Sequence, residues 1–297
     1  MTAAAIPAER PSWAVLFFDL TKFKISAASM FTSATGYVAF RRGVDLGLLT
    51  ALLGTLLLAM ASSALNEVQE CNLDALMERT RNRPLPGWAV GLSNAAAIVV
   101  LLGASGLLVL FFFHGWISAF LGLLAMAWYN GFYTPLKRLS AFAAVPGAVI
   151  GALPPAIGWT AAGGFIGDPA LLALCFVFFV WQVPHFWLLS MLHQEGYAKA
   201  GFPTLARHFQ PSQILRLIFT WSCGTVAAGA LLPAFGTTRG IGALVLLGAG
   251  GLWLVLSFLR LLRPERTAAQ IRRAFMEINV FALLVMGAVI LDALVMK

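Results

Sequence analysis

The chain has 297 residues, of which 60% are hydrophobic and only 11% are charged, and its formal net charge is +8. Soluble domains carry charge on about a quarter of their residues, so this composition excludes a soluble globular protein. The positive charges fall between long hydrophobic blocks, as membrane topology requires, and no nucleic-acid partner is needed to explain them.

Hydrophobic blocks of about twenty residues recur along the chain, which is the length at which an α-helix crosses a bilayer. The strands of a membrane barrel would show short alternating segments instead, so we predict an all-α, polytopic membrane protein. The nine predicted spans cover residues 23–41, 45–66, 88–112, 115–133, 141–162, 169–192, 213–234, 240–260 and 276–296.

The ends of the chain and its orientation follow from charge. Residues 1–12 lack the basic start and apolar core of a signal peptide, and we expect them to form a polar cytoplasmic N-terminus of a single domain spanning 1–297. Because Lys and Arg resist translocation, an inside N-terminus places most of the 20 cations in cytoplasmic segments.

A charged segment, NEVQECNLDALMERTRNRPLP at 66–86, follows the second predicted span. Asn66, Glu70 and Asp74 are four residues apart, so one helical face presents an amide and two carboxylates. Carboxylates at this spacing repel each other unless a cation lies between them. Mg²⁺ prefers oxygen ligands of this kind and completes its shell with water and substrate phosphate. The spacing therefore indicates a magnesium site.

Arginines follow the carboxylates closely. Pro84 and Pro86 end any helix and leave Arg81 and Arg83 beside the acidic residues. Arginine binds oxyanions in a planar fork, so carboxylates for metal and arginines for oxyanion together predict a diphosphate site. In the alternative interpretation, Glu70, Asp74 and Glu78 pair with Arg79, Arg81 and Arg83 on a solvated loop.

Two further spans end in polar residues on the same predicted side of the membrane. The sixth is followed by Glu195, Tyr197 and Lys199. The fourth ends in the segment YNGFYTPLKRLS, which supplies Asn130, Tyr133, Lys137 and Arg138. Three spans therefore deliver polar groups to one cytoplasmic rim, which predicts a single pocket there.

Four segments carry a family resemblance: NEVQECNLDALMERTRNRPLP, YTPLKR, PGAVIGALPPAIGW and WQVPHFWLLSMLHQEGYAKAGFPTL. With them the chain resembles the UbiA superfamily of intramembrane prenyltransferases over nearly its whole length. The PHFW segment and the AGFPTL tail are similar to the branch of that superfamily that farnesylates haem. The resemblance implies a bundle of about nine transmembrane helices around a cavity that opens to the membrane and is capped on the cytoplasmic side.

The resemblance also implies roles for individual residues. Asn66, Glu70 and Asp74 match the first acidic motif, and Glu195 falls where the second begins, so Glu70, Asp74 and Glu195 are the implied Mg²⁺ ligands. Two positions depart from the family pattern: Glu70 stands where Asp is usual, and Gly196 stands where a second carboxylate is expected. The implied diphosphate-binding cations are Arg79, Arg81, Arg83, Lys137, Arg138 and Lys199.

The implied reaction transfers farnesyl from farnesyl diphosphate to a vinyl group of haem B, which gives haem O for haem-copper terminal oxidases. Mg²⁺ is the implied cofactor. The implied partners are the lipid bilayer and the next haem-modifying enzyme or a terminal oxidase, and the implied location is the inner membrane.

Haem requires residues of its own. His185 lies within the sixth span, where an intramembrane histidine can ligate iron, although it can also satisfy the carbonyl that Pro184 frees. His193 and Tyr197 follow near the cytoplasmic rim and are further candidates for haem contact.

Two other functions remain open at this stage. An enzyme of the same superfamily that prenylates an aromatic quinone precursor would share the first motif, but the PHFW segment disfavours it. A secondary transporter would also be all-helical, yet its polar residues should lie at mid-span rather than at one rim.

Overall fold

The computed structural model describes residues 11–263 and 267–296, so most of the predicted polar N-terminus, residues 1–10, lies outside the described residues. The described residues form α-helices, a π-helix and two 3₁₀ turns, with no strand among them. The α-helices are α1 Trp13–Leu20, α2 Phe23–Arg41, α3 Leu46–Asp74, α4 Leu92–His114, α5 Trp116–Met126, α6 Thr134–Leu136, α7 Ala144–Gly147, α8 Val149–Ala161, α9 Pro169–Leu192, α10 Gln194–Lys199, α11 Pro211–Ala234, α12 Ile241–Leu259 and α13 Ala268–Val295. The π-helix covers Ala127–Tyr133.

The prediction of an all-helical membrane protein is confirmed, and the chain crosses the membrane several times. Within residues 11–263 and 267–296, seven helical segments are long and apolar enough to span a bilayer, so the predicted count of about nine is slightly off. The first predicted span corresponds to α2, whose mean hydropathy is lowered by Ser, Thr and Lys side chains, and it is not among these seven segments. The fourth is divided between α5 and the π-helix.

Consecutive long helices pack side by side in a ring. Contacts run from α2 through α3, α4, α5, α8, α9, α11 and α12 to α13, and α13 returns to α2. The most extensive contacts that cross this ring join α2 to α8 and α9 to α13. Short connections between neighbouring helices make them antiparallel, so alternate helix ends meet at the same end of the bundle.

Glycines let α2 and α8 approach closely. A Cβ atom at Gly158 would lie 1.8 Å from the Ser33 carbonyl oxygen, and one at Gly36 would lie 2.0 Å from the Pro155 carbonyl oxygen. Small residues permit this backbone contact in membrane bundles, where helices associate by packing rather than by exclusion of water.

The bundle has two ends that differ in composition. At the motif end, α3, the π-helix and α9 finish at Asp74, Tyr133 and Leu192. At the opposite end, α2 and α4 finish at Arg41 and His114. Asp45 caps the start of α3 at this opposite end by accepting a hydrogen bond from the Leu48 amide at 3.1 Å.

Candidate active site

Helix α3 continues past its apolar block and carries the acidic motif into the motif end of the bundle. The second span was predicted to finish at residue 66, but α3 runs to Asp74. Asn66, Glu70 and Asp74 are 3%, 5% and 2% exposed. Glu70 and Asp74 therefore do not lie on a solvated loop, although Asp74 does pair with Arg83 as the alternative interpretation predicted, and Glu78 is exposed.

Glu70 is held on one of its two carboxylate oxygens. Oε2 accepts hydrogen bonds from Lys137 Nζ at 2.5 Å and from Asn66 Nδ2 at 3.0 Å. Oε1 is buried and has no hydrogen bond from the described residues, and its nearest ion-pair partner among them, Arg138 Nε, is 3.9 Å away. A buried oxygen normally has a partner, so Oε1 is available to a ligand.

Asp74 is held by the chain that follows it. Its Oδ2 accepts a hydrogen bond from the Arg83 guanidinium at 2.5 Å, and Arg83 is partly buried in this pair. The Thr80 hydroxyl donates to the Asp74 carbonyl oxygen at 2.8 Å, which turns the chain back towards α3. Arg83 is thereby fixed beside the carboxylate, as the sequence predicted.

Two charged residues of this region were not predicted as site residues. Lys22, at the start of α2, donates to Asn66 Oδ1 at 2.8 Å. Burial, together with the charges of Arg83 and Lys137, lowers the pKa of Lys22 to about 7. Glu67 is fully buried and accepts a hydrogen bond from the Leu85 amide at 3.0 Å, while its other oxygen has no partner among the described residues.

The π-helix is joined to α3 by amide side chains. Asn130 accepts a hydrogen bond from the Ser62 hydroxyl at 2.6 Å and donates to the Gln69 side chain at 3.2 Å. Asn66 Nδ2 also reaches the Thr134 hydroxyl at 3.2 Å. A π-helix often marks a functional site, and here it directs the chain that carries Lys137 and Arg138 onto Glu70.

Aromatic rings lie directly beneath these charges. The Lys137 ammonium is 5.6 Å from the centre of the Tyr133 ring and 5.9 Å from that of Phe202. Tyr133 stacks on Phe186 of α9 at 5.3 Å, and Tyr197 meets Phe202 edge to face at 5.5 Å. These four rings therefore form an aromatic surface beside the polar site, of which Tyr133 belongs to the π-helix, Phe186 to α9, and Tyr197 and Phe202 to the segment after α9.

Other predicted residues lie further from this centre. Arg79, Arg81, Glu195 and Lys199 are exposed. Among the described residues no three His, Cys, Asp or Glu side chains form a group that could hold a metal ion, so Glu195 is not brought together with Glu70 and Asp74. The role of Glu195 as a metal ligand stays a prediction.

The haem candidates lie along α9 and just beyond it. His185 is partly buried within α9, and its Nδ1 is 2.9 Å from Asn279 Oδ1 of α13. At the end of α9, burial lowers the pKa of His193, and the charges of Arg79 and Arg272 add to the effect. Burial also raises the pKa of Tyr197.

The donor set at the end of α3 suits Mg²⁺. Magnesium is usually held by one or two carboxylates, with waters and substrate phosphate completing its octahedron. Glu70 and Asp74 supply two carboxylates four residues apart, and no described residue donates a hydrogen bond to Glu70 Oε1. Several cations surround them, which is the environment that a metal diphosphate requires.

Comparison with known proteins identifies the family. Residues 25–281 match the model of the UbiA prenyltransferase family. The chain belongs to this family. The match covers seven of the nine predicted spans completely, nearly all of the first and the beginning of the last, so the UbiA resemblance found in the sequence is confirmed, and the protein is a prenyltransferase.

Curated relatives within the UbiA family include proteins named protoheme IX farnesyltransferase. The one from Geobacter sulfurreducens is 43% identical over 223 residues, which are 73% of this chain and 81% of the relative. The one from Opitutus terrae is 33% identical over 284 residues, which are 94% of each chain.

Solved UbiA-type structures share the fold at low sequence identity. A digeranylgeranylglyceryl phosphate synthase matches with a TM-score of 0.76 and 16% identity, covering 95% of this chain and 98% of its own. A UbiA homologue from Archaeoglobus fulgidus bound to GPP and Mg²⁺ matches with a TM-score of 0.63 and 14% identity, covering 92% of this chain and 99% of its own.

Proposed function

We propose that this protein transfers the farnesyl group of farnesyl diphosphate to a vinyl group of haem B and thereby forms haem O. The arrangement at the end of α3 carries the proposal. Two buried carboxylates, Glu70 and Asp74, lie there, and Glu70 Oε1 has no hydrogen bond from the described residues. Four cations surround them: Lys22, Arg83, Lys137 and Arg138. The relatives named protoheme IX farnesyltransferase support haem as the acceptor.

Glu70 and Asp74 would hold Mg²⁺ without Glu195, the further ligand implied by the resemblance, because Glu195 lies apart from these two carboxylates. When bound, the metal neutralises part of the negative charge that collects on the diphosphate as it leaves. The donor chemistry of the site and the Mg²⁺ bound with GPP in the Archaeoglobus fulgidus homologue both support this cofactor.

The cations of the site would bind the diphosphate oxygens. Lys137 is paired with Glu70, and Arg83 is paired with Asp74. A rotation of either side chain would let it bind a diphosphate that lies between the two carboxylates. As the allylic carbon–oxygen bond breaks, the diphosphate departs with the electron pair, and these fixed cations stabilise it. The exposed Arg79, Arg81 and Lys199 would help to draw the anion to the site.

The aromatic surface below the charges would hold the farnesyl chain and keep water from the allylic cation. Tyr133 and Phe186 form the part of this surface next to Lys137. The haem vinyl group then attacks the cation, a hydroxyl from water adds to the new side chain, and one proton is released. His185, His193 and Tyr197 are the residues proposed to contact the haem.

The membrane location and orientation of the protein belong to the proposed function. The whole chain would act as one domain in the inner membrane, with the motif end of the bundle at the cytoplasmic face and the substrate cavity open to the bilayer. The excess of positive charge at the motif end supports this orientation. Haem O would pass to the next haem-modifying enzyme or to a terminal oxidase.

Analysis of cellular haems tests the proposal. Cells that lack their own haem farnesyltransferase would express this chain or its Asp74→Ala variant, and their extracted haems would be separated by chromatography. We expect a new, more retentive haem with the unaltered chain and none with the variant. Unchanged haem B from well-expressed, folded protein would contradict haem as acceptor, and labelled prenyl diphosphate would then be offered with aromatic acceptors.

A further inference from the structure

Of the two ring nitrogens of His185, only Nδ1 has a hydrogen-bond partner among the described residues. Nδ1 is 2.9 Å from Asn279 Oδ1, across the contact between α9 and α13. The amide nitrogen of Asn279 donates to the Phe275 carbonyl oxygen at 2.5 Å, which fixes the orientation of the amide. A carbonyl oxygen can only accept, so Nδ1 of His185 carries the proton.

The proton on Nδ1 leaves the lone pair of the neutral ring on Nε2. No hydrogen bond to Nε2 is found from the described residues. Neutral imidazole is the form that binds metals, and the hydrogen bond at the other nitrogen decides which nitrogen does so. His185 is therefore prepared to donate an electron pair to a metal through Nε2.

Another histidine at a helix end provides the contrast. His114 of α4 has Nδ1 at 2.9 Å from the Ala161 carbonyl oxygen and Nε2 at 2.9 Å from the Thr50 hydroxyl. Both of its nitrogens are occupied by protein groups from other helices. His114 therefore has the pattern of a structural residue, whereas His185 does not.

The surroundings of His185 suit a flat, apolar ligand. Its ring lies 4.8 Å from Trp181, 5.0 Å from Phe275 and 5.7 Å from Phe186. Trp181 is itself fixed, since its indole nitrogen donates to the Ile278 carbonyl oxygen at 2.9 Å. Aromatic faces of this kind pack well against a planar macrocycle.

His185 is also connected to the charged site. Phe186, the next residue, stacks on Tyr133 with an angle of 9° between the rings, and Tyr133 lies under the Lys137 ammonium. His185 precedes the last residue of α9 by seven positions, which places it ~10 Å deeper in the bundle than that helix end. A ligand at His185 would thus lie inside the bundle below the diphosphate site.

We infer that Nε2 of His185 is the axial ligand of the iron of the haem substrate, and that Asn279 is the residue that positions it. The inference rests on the proposed function, because it takes haem as the acceptor. Histidine is a common axial ligand of haem iron, and hydrogen-bond partners of a ligating imidazole normally set its tautomer and basicity. Fixing the iron would also fix where the vinyl groups lie relative to the farnesyl carbon.

A merely structural role would explain the same hydrogen bond as a link between α9 and α13. The two roles differ in what they do to bound haem. A structural link affects stability and leaves the absorption and electron paramagnetic resonance spectra of bound iron unchanged. A positioning role changes those spectra whenever Asn279 or His185 is altered.

Titration of haem B into the purified full-length protein separates these roles. The variants are His185→Gly, Asn279→Ala and Asn279→Asp, with His114→Ala as the matched control. We expect a histidine-ligated spectrum that His185→Gly loses and added imidazole restores. Asn279→Ala should weaken haem binding by about 10- to 100-fold. Asn279→Asp should keep the affinity and lower the reduction potential of the iron, while His114→Ala should match the unaltered protein.

Each outcome bears on a different claim. A spectrum of the His185→Gly variant identical to that of the unaltered protein overturns the inference, as does an Asn279→Ala variant with unchanged affinity and spectrum. Haem that is farnesylated by a protein whose spectrum is independent of His185 overturns the inference alone. Haem bound through His185 but never farnesylated contradicts the proposed function alone, and unaltered protein that binds no haem contradicts both.

Discussion

Helix α3 begins and ends at an aspartate with an arginine beside it, but the two ends differ in how their charges are matched. At the opposite end, Asp45 accepts hydrogen bonds from Tyr37 at 2.6 Å and from Arg41 at 2.9 Å, and it also caps the helix. Both oxygens of this carboxylate are used, and the hydrogen bond from Tyr37 is the largest of the effects that lower the pKa of Asp45.

At the motif end the matching is incomplete. Within the part of the chain that the structure describes, Glu70 Oε1 has no hydrogen bond, although four cations lie in the same cluster. Buried charges that are fully paired hold a fold together, whereas a buried oxygen without a partner among surplus cations is arranged for something that binds. The contrast teaches that burial and unmatched charge together distinguish this site from an ordinary ion pair.

The largest difference between the two ends should appear in turnover. We expect Asp74→Asn to lower the rate of farnesyl transfer by about 10³-fold, because the site then loses a carboxylate that holds Mg²⁺ and orients Arg83 towards the diphosphate. The matched variant Asp45→Asn should change the rate little and cost about 1 kcal/mol of stability, because asparagine still caps the helix but loses the charge that strengthens the hydrogen bonds from Tyr37 and Arg41. Labelled farnesyl transfer and thermal unfolding of each purified variant measure both effects; equal losses of turnover would contradict the comparison.

The cations paired with these carboxylates at the two ends should also differ in their effect on substrate binding. Lys137→Met should raise the KM for farnesyl diphosphate by about 10- to 100-fold, because a charge-assisted hydrogen bond to the substrate is removed. Arg41→Met, at the opposite end, removes only an exposed ion pair and should leave KM unchanged within about twofold. Steady-state kinetics at saturating acceptor measure both KM values. An increase in KM for Arg41→Met as large as that for Lys137→Met would contradict the comparison.

Lys22 should make diphosphate binding depend on pH. With its pKa near 7 in the free protein, the ammonium is largely neutral above pH 7, and a bound diphosphate raises that pKa. Binding then takes up a proton, so affinity should fall by up to about tenfold per unit as pH rises from 7. Titrations between pH 7 and 9 with a non-reactive diphosphate analogue test this; Lys22→Met should bind more weakly, with a flatter profile.

Glu195 should matter least among the acidic residues. It is exposed and lies apart from Glu70 and Asp74, so we expect Glu195→Gln to lower turnover by only about threefold through loss of a nearby charge. A loss as large as that of Asp74→Asn would instead place Glu195 on the metal during the reaction. Turnover of both variants over a range of Mg²⁺ concentrations distinguishes these results.

Much of the fold and the centre of the site could be predicted from local sequence. The hydrophobic blocks predicted most of the long helices. The spacing of Asn66, Glu70 and Asp74 predicted that these three side chains share one face of the helix that is α3 in the structure. The fourth span was less regular than expected, because the chain there adopts a π-helix at Ala127–Tyr133 that no simple hydrophobic period indicates.

The missed residues depend on contacts between distant parts of the chain. Lys22 donates a hydrogen bond to Asn66 across 44 positions, and the sequence distinguished it in no way from the other cations between the hydrophobic blocks. Glu67 lies beside the predicted stripe and is buried against Leu85, 18 positions away. Asn279 meets His185 only because α13 packs on α9, 94 positions later in the chain.

The most direct test of the central claim is the Mg²⁺ dependence of binding of a non-reactive farnesyl diphosphate analogue to the unaltered protein, Asp74→Asn and Asp45→Asn. We predict that the unaltered protein and Asp45→Asn bind the analogue tightly only when Mg²⁺ is present, and that Asp74→Asn loses this dependence. Binding that ignores Mg²⁺, or that is lost equally in Asp45→Asn, would contradict the assignment of a metal-diphosphate site to the motif end of α3.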